Sequence, residues 1–243
     1  MELARYQSRI REEAGLLRAA VVTVGADAAI PDCPGWTALR LVQHLCRVFD
    51  MVVTTLRAAD PQTPPPRGEA APADFDAALA RFDERLSTML DLLASTYPAT
   101  PAWNFTPIAP RTAAFWSRRQ AHEITIHRLD AQAAAGIAEA PVDPDFAADG
   151  IDEVLTWWIH RNSGGWADSQ LRGTVLYHPA DAGRSWTVRL VPGQFPQTTP
   201  EAVTEPDGSV VGLADAVYRA VWGRPSRAVT TGDETLIEAT RAG

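Results

Sequence analysis

Trp116-Ser-Arg-Arg-Gln-Ala-His-Glu123-Ile-Thr-Ile-His127-Arg-Leu-Asp130 is the stretch on which fold and chemistry both turn. It contains neither Gly nor Pro, is rich in strong helix formers, and repeats apolar residues at helical spacing, so it reads as a helix. Glu123 and His127 are four apart. Four residues turn about 400° around a helix, so the two side chains share one face, one turn from each other. A carboxylate above an imidazole is half of a metal site.

Working outward, this helix spans about 113–135, with Thr112 placed to cap it and Gly136 to end it. Three helices precede it. Residues 3–24 carry Leu3, Tyr6, Ile10, Leu16, Leu17 and Val21 on a helical period. Residues 38–58 follow an N-cap at Thr37 and carry Leu41, Leu45, Val48, Val52 and Leu56 on one stripe. His44 lies beside Leu41 and Val48 on that stripe and is expected to point inward. Residues 75–96 follow an N-cap at Asp74. A Pro-rich connection at 59–72 and a break from Pro98 to Pro110 separate these helices. Four long helices with two long connections predict a four-helix bundle.

The pattern changes near residue 140. A helix is expected at about 144–160, then strands at 173–178 and 185–191 joined by the turn Pro179 to Arg184. A further strand is expected near 201–211, a helix over 213–222, and a strand with a short helix in 228–239. The chain is therefore read as two domains, an all-α bundle over 1–140 and a small α+β domain over 141–243.

Composition narrows the partners. A net charge of -8 and a pI of about 5.1 argue against nucleic acid and anionic membranes, which both attract basic surface. All 22 Lys and Arg positions are Arg, which removes Schiff-base chemistry. No apolar run reaches the roughly 20 residues of a membrane span. The charged N-terminus reads as helix rather than signal peptide, and Cys33 and Cys46 make no disulfide framework, so a reducing cytoplasm is the default location.

The candidate centre is His44, Glu123 and His127. Zinc takes imidazole nitrogen and carboxylate oxygen, and its catalytic sites use three protein ligands with a fourth position open. Bundles build such sites from inward side chains on facing helices. A second reading of the same residues needs no metal: His44 is a core histidine bonded to Glu123, and His127 lies at the surface. The expense of burying an unpaired carboxylate favours a metal, and the residues alone leave both readings open. His122 and His127 are five apart, about 140° around a helix, whereas a zincin needs its two histidines four apart. His122 is therefore expected to pack on a neighbouring face.

Arg119, Gln120 and Asp130 lie a turn either side of Glu123 and His127, and Asp130 either orients a ligand histidine or pairs with Arg119. Trp116 is expected in the core. Cys46 is expected to point away from His44, and Cys33 is read as a structural thiol within reach of the bundle mouth. His160 and His178 have no partner in the sequence. No GxGxxG, P-loop, GxSxG or CxxC motif is present.

Three passages resemble the mycothiol-dependent maleylpyruvate isomerase family, within the DinB-like metalloenzyme superfamily. They are Pro34-Gly-Trp-Thr-Ala-Leu-Arg-Leu-Val-Gln-His44-Leu, the stretch from Trp116 to Asp130, and Asp215-Ala-Val-Tyr-Arg-Ala-Val-Trp222-Gly223-Arg224 followed by Gly232-Asp233. The second is the most specific. The resemblance implies a DinB-like four-helix bundle with a smaller α+β C-terminal domain. It also implies a divalent metal, usually zinc, held by His44, Glu123 and His127, with mycothiol as cosubstrate. A metal favours the thiolate form of such a thiol, which is the nucleophile. Where the family usually has an acidic residue early in its second helix, this chain has Leu39, Arg40 and Leu41. Arg224 matches the family pattern and is read either as a substrate or thiol contact, or as a cap or interdomain ion pair.

The leading expectation is a cytoplasmic, metal-dependent isomerase or S-transferase acting on a small electrophile with a thiol cosubstrate. Its partners would be those small molecules, not nucleic acid or membrane, and its oligomeric state is open between monomer and homodimer. Two rivals stand beside it: a hydrolase with metal-bound water as nucleophile, and a non-catalytic binding protein that retains the fold.

Overall fold

The computed structural model describes residues 2–161 and 163–242. The chain forms two units, residues 1–104 with 110–139, and residues 105–109 with 140–243.

The first unit holds α1 (Leu3–Val24), α2 (Ala38–Arg57), α3 (Phe75–Ser95) and α4 (Ala113–Ala134). These are the expected helices to within a residue or two. α1 packs chiefly on α4, and α2 on α3. Ile10, Leu17, Leu41, Leu45, Phe49, Phe82, Met89 and Trp116 are buried between them. Local chemistry sets the helix starts. Thr37 accepts the amide of Arg40 at 3.3 Å, and Asp74 accepts that of Ala77 at 2.8 Å.

Thr112 departs from the expectation. It is the N-cap of α4, but its side chain makes no cap bond. Instead the amides of Ala113 and Ala114 reach the carbonyls of Thr100 and Pro98, at 2.9 and 3.0 Å. The segment after Pro98 folds back through the bridge Pro101–Thr112 and satisfies donors that a helix start leaves orphaned. Gly136, at φ 62°, follows the other end of α4 in the left-handed region where Gly carries no Cβ penalty.

α4 is buried on nearly every face rather than along one stripe, and the buried set includes Arg119, Gln120, His122, His127, Arg128 and Asp130. A helix surrounded this way must find partners for its polar groups inside the protein. Arg128 does so by pairing with Glu13 of α1 and donating to Gln132 Oε1 at 2.8 Å.

The second unit contains α5 (Pro144–Thr156), a 3-10 turn at Trp158–His160, α6 (Ser163–Ala167), β1 (Gly173–Pro179), β2 (Trp186–Leu190), β3 (Gln197–Thr199), β4 (Gly208–Gly212), α7 (Ala214–Val221), β5 (Val229–Gly232) and α8 (Glu234–Ala239). The sheet order is β3-β2-β1-β4-β5. β1 pairs antiparallel with β2 and parallel with β4, while β4 pairs antiparallel with β5. Gly232 has φ 84°, and a Cβ there would collide with the Asp207 carbonyl, so the turn into α8 requires glycine.

Four expectations are corrected here. The helix expected over 144–160 stops at Thr156, because Trp157 leaves helical geometry. Trp158 then packs its ring against Phe105 at 5.5 Å and Trp222 at 5.4 Å. That contact also places Phe105–Ala109 with the second unit, although it lies inside the span 1–140 assigned to the first domain. The strand expected over 201–211 is confined to β4, and β3 and α6 were not expected at all. Among the described residues no helix is long and apolar enough to cross a membrane.

Candidate metal centre

α2 and α4 bring His44, Glu123 and His127 together in the first unit. His44 Nε2 lies 2.9 Å from Glu123 Oε1, and His127 Nε2 lies 3.5 Å from the same oxygen. One donor atom from each residue falls within 4.8 Å of the others. A tetrahedral ion with bonds of about 2.0–2.1 Å spaces its donors about 3.3 Å apart. The two separations from Glu123 Oε1 bracket that value, and two imidazoles with one carboxylate are the donor types of an open zinc site, so this set fits a divalent ion.

The surroundings orient these donors. His127 Nδ1 lies 2.9 Å from Asp130 Oδ2, and Asp130 is fully buried. An ionised carboxylate only accepts, so it holds a proton on Nδ1 and turns Nε2 toward Glu123. Arg119 Nη2 donates to Glu123 Oε2 at 3.2 Å, which leaves Oε1 for the histidines. Asp130 thus stands in the place expected of a residue that orients His127, and Arg119 bonds to Glu123.

Two expectations about burial change. The His44 side chain is 26% exposed. It therefore sits at the lip of the site rather than inside the core, although Leu41 and Leu45 beside it are fully buried. His127 is buried, so the reading that made it a surface residue does not hold.

The loop between α1 and α2 completes the site. Ile30 N–H donates to the Trp36 carbonyl at 3.0 Å and Trp36 N–H to the Cys33 carbonyl at 2.9 Å, with Gly35 at φ 78°. The closed loop lays the Trp36 ring on His127, with centroids 6.0 Å apart and planes at 20°, and tilts it against His44 at 4.9 Å. The Arg40 guanidinium lies 5.8 Å from the same ring. Cys33 Sγ donates to Asp130 Oδ2 at 3.3 Å, so Cys33, His127 and Asp130 form a second cluster sharing one histidine. Sequence reasoning gave Trp36 no role. The available signal was its place beside Gly35, directly before the N-cap of the helix that carries His44.

The remaining candidates lie elsewhere. His122 is fully buried and meets Tyr6 edge-on at 6.4 Å, on another face of α4. Trp116 is in the core, its indole N–H on the Trp103 carbonyl at 2.8 Å. Cys46 faces the Ala78 carbonyl of α3. Arg224 belongs to the second unit, where Nη1 donates to the Trp222 carbonyl at 2.9 Å, just beyond the end of α7.

The electrostatics follow from this geometry. Burial pushes the Glu123 carboxyl up, but hydrogen bonds from His127 and His44 and the charges of His127 and Arg119 outweigh it, holding it well below the usual carboxylate range. Burial pushes His127 down, yet Asp130, Cys33 and Glu123 together hold it well above the usual imidazole value. Metal-free, the two therefore form a carboxylate–imidazolium pair.

Residues 8–132 match the family described as mycothiol maleylpyruvate isomerase N-terminal domain. Two solved structures share the fold of the whole chain. The crystal structure of the mycothiol-dependent maleylpyruvate isomerase matches at 13% identity and a TM-score of 0.64, covering 95% of this chain and 93% of that one. A histidine-to-alanine mutant of such an isomerase matches at 12% identity and a TM-score of 0.65, with the same coverage. No curated protein matches the sequence.

Proposed function

The chain belongs to the mycothiol maleylpyruvate isomerase N-terminal domain family, and on that premise we propose that it is a metal-dependent enzyme with a low-molecular-weight thiol, mycothiol in the first instance, as cosubstrate. The reaction proposed is isomerisation or S-transfer on a small electrophilic substrate. The observation that carries this reading is the convergence of His44, Glu123 and His127 at a lip whose buried side is already organised by Asp130 and Arg119.

These three residues would hold the ion, with zinc as its working identity. When bound, such an ion supplies Lewis acidity that keeps a thiol in its thiolate form near neutral pH. The chain's own residues do the rest. Asp130 holds the Nδ1 proton of His127 and so presents Nε2. Arg119 neutralises one oxygen of Glu123. Trp36 covers one side of both imidazoles and keeps water from it. A thiol cosubstrate provides the nucleophile in a site where the histidines, Glu123 and Asp130 are already committed to one another.

The test is metal analysis of protein purified without chelators, followed by turnover of maleylpyruvate and related electrophiles with and without thiol. Stoichiometric zinc and strict thiol dependence are expected. Protein that neither carries nor is stabilised by zinc would overturn the metal, and turnover without any thiol would overturn the cosubstrate in favour of hydrolysis.

A further inference from the structure

The second unit contains a cleft of about 330 Å³, within the range of small-molecule sites, about 300–1,000 Å³. Trp158, Arg161, Trp166, Leu171 and Arg241 are among its walls. None of them lies in the first unit, so the cleft shares no residue with the metal centre. The chain carries 30 acidic residues against 22 arginines, yet among the described residues the only charged side chains lining this cleft are Arg161 and Arg241.

Both guanidiniums are held in place. Arg161 lies over the Trp158 ring, with Cζ 4.2 Å from the ring centroid, and Trp158 is itself packed against Phe105 and Trp222. A guanidinium stacked on an indole keeps its N–H donors at its rim, where a planar oxyanion can meet two of them. Arg241 is fixed from both sides. Thr240 before it is fully buried, with its hydroxyl 2.6 Å from that of Tyr177 in β1, and the Ala242 N–H after it reaches the Val221 carbonyl at 2.7 Å. Among the described residues the Arg241 guanidinium makes one hydrogen bond, from Nη1 to Glu238, and its buried Nε has no acceptor. The indole N–H of Trp166 goes to the Ile159 carbonyl at 2.6 Å, so that residue offers the cleft ring surface only.

Two forks of donors beside indole and leucine surface complement an oxyanion carried on a flat apolar body. Charge sets its valence. Arg161 and Arg241 supply two positive charges and Glu238 offsets one, so a single negative charge balances the cleft. We propose that this cleft is a second ligand site and that it takes a small aromatic monocarboxylate. Neither the metal nor the thiol takes part in it.

The test titrates benzoate into the isotope-labelled, zinc-loaded full chain and follows the indole N–H resonance of Trp166, identified by its loss in Trp166→Phe. Benzoate is expected to shift that resonance. It is expected to bind about tenfold more tightly than benzamide, which lacks the charge, and about 2–10-fold more tightly than cyclohexanecarboxylate, which lacks the flat ring. Arg161 is exposed and the Arg241 side chain is 22% exposed, so both positions accept substitution. Arg161→Gln and Arg241→Gln are each expected to lower benzoate affinity about 5–10-fold while benzamide affinity and melting temperature hold. His44→Ala is expected to bind benzoate as the wild type does. Loss of binding in His44→Ala would put the carboxylate on the metal, overturning the proposal and leaving the metal reading standing. No shift at Trp166, equal affinity for benzoate and benzamide, or benzoate affinity unchanged in both arginine variants overturns it as well. Phenyl phosphate binding more tightly than benzoate overturns the monocarboxylate assignment.

Discussion

His44→Ala separates a metal ligand from a merely structural histidine. In the metal-free protein His44 contributes one hydrogen bond to Glu123 from a partly exposed ring. Glu123 keeps Arg119 and His127 when that bond is lost. The expected cost is that of one ordinary hydrogen bond, about 0.5–1.5 kcal/mol. The cost to metal binding is larger. Four-ligand structural zinc sites bind with about 10–16 kcal/mol near neutral pH, so one ligand of such a set contributes about 2.5–4 kcal/mol, or two to three decades in affinity. Stabilisation by a ligand follows RT ln(1 + [L]/Kd), so free zinc at 100 times the wild-type Kd adds about 2.7 kcal/mol to the wild type. The same zinc adds about 0.4 kcal/mol or less to a variant weakened by two or more decades. Denaturant titration of both proteins, with chelator and with buffered zinc, measures all four quantities. A His44→Ala protein that zinc stabilises as much as the wild type would refute the assignment. So would a variant crippled equally with and without zinc.

Three further outcomes follow from the same geometry. His127 is held well above its ordinary value of 6.5, so it carries a proton that zinc must expel, and apparent zinc affinity should rise about tenfold per pH unit until His127 deprotonates by itself. Glu123, held below its ordinary 4.5, does not compete in that range, and a flat affinity profile between about pH 6 and 7.5, or no buffer-dependent proton release in calorimetry, contradicts the pairing. Asp130→Asn keeps the shape but weakens the acceptor on Nδ1, and zinc affinity is expected to drop about 10–100-fold; unchanged affinity would mean that Asp130 does not orient His127. Burial, aided by the nearby Asp50 charge, pushes the Cys46 thiol up to about 11, so mass spectrometry after alkylation at pH 8 should find Cys46 unmodified in native protein and modified once unfolded, and rapid native labelling would argue against its packing on α3.

The bundle was legible because its signals are local. Thr37 and Asp74 announce their helices through side chains that reach an amide three residues on, and the apolar stripes of α1, α2 and α3 repeat at the helical period. α4 was legible for a different reason. Its composition is strongly helical, although its burial on nearly every face leaves no clean stripe, and its start is capped by carbonyls of the connection that precedes it rather than by the Thr112 side chain. The second unit was read less well. β3 is three residues long and β1 pairs with β4 across a long intervening segment, so neither carries a local pattern. The early end of α5 depends on where Trp158 finds aromatic neighbours, which periodicity does not encode.

For the site, the sequence by itself determined what helical spacing can determine. Glu123 above His127, and the exclusion of His122 from their face, are consequences of 3.6 residues per turn and hold in any helix with this sequence. The apolar stripe of the second helix offered His44 as their partner, and the family resemblance implied the same three residues. Tertiary structure alone decided what surrounds them: that Asp130 turns to His127 and Arg119 to Glu123, that His44 stands at the lip, that a closed loop lays Trp36 over both imidazoles and brings Cys33 to Asp130, and that Gln120 Oε1 is buried with no donor among the described residues. Apart from the two pairs within α4, these facts depend on contacts between residues far apart in the chain. A spacing rule assigns a side chain to a face of its own helix, and only packing assigns what that face meets.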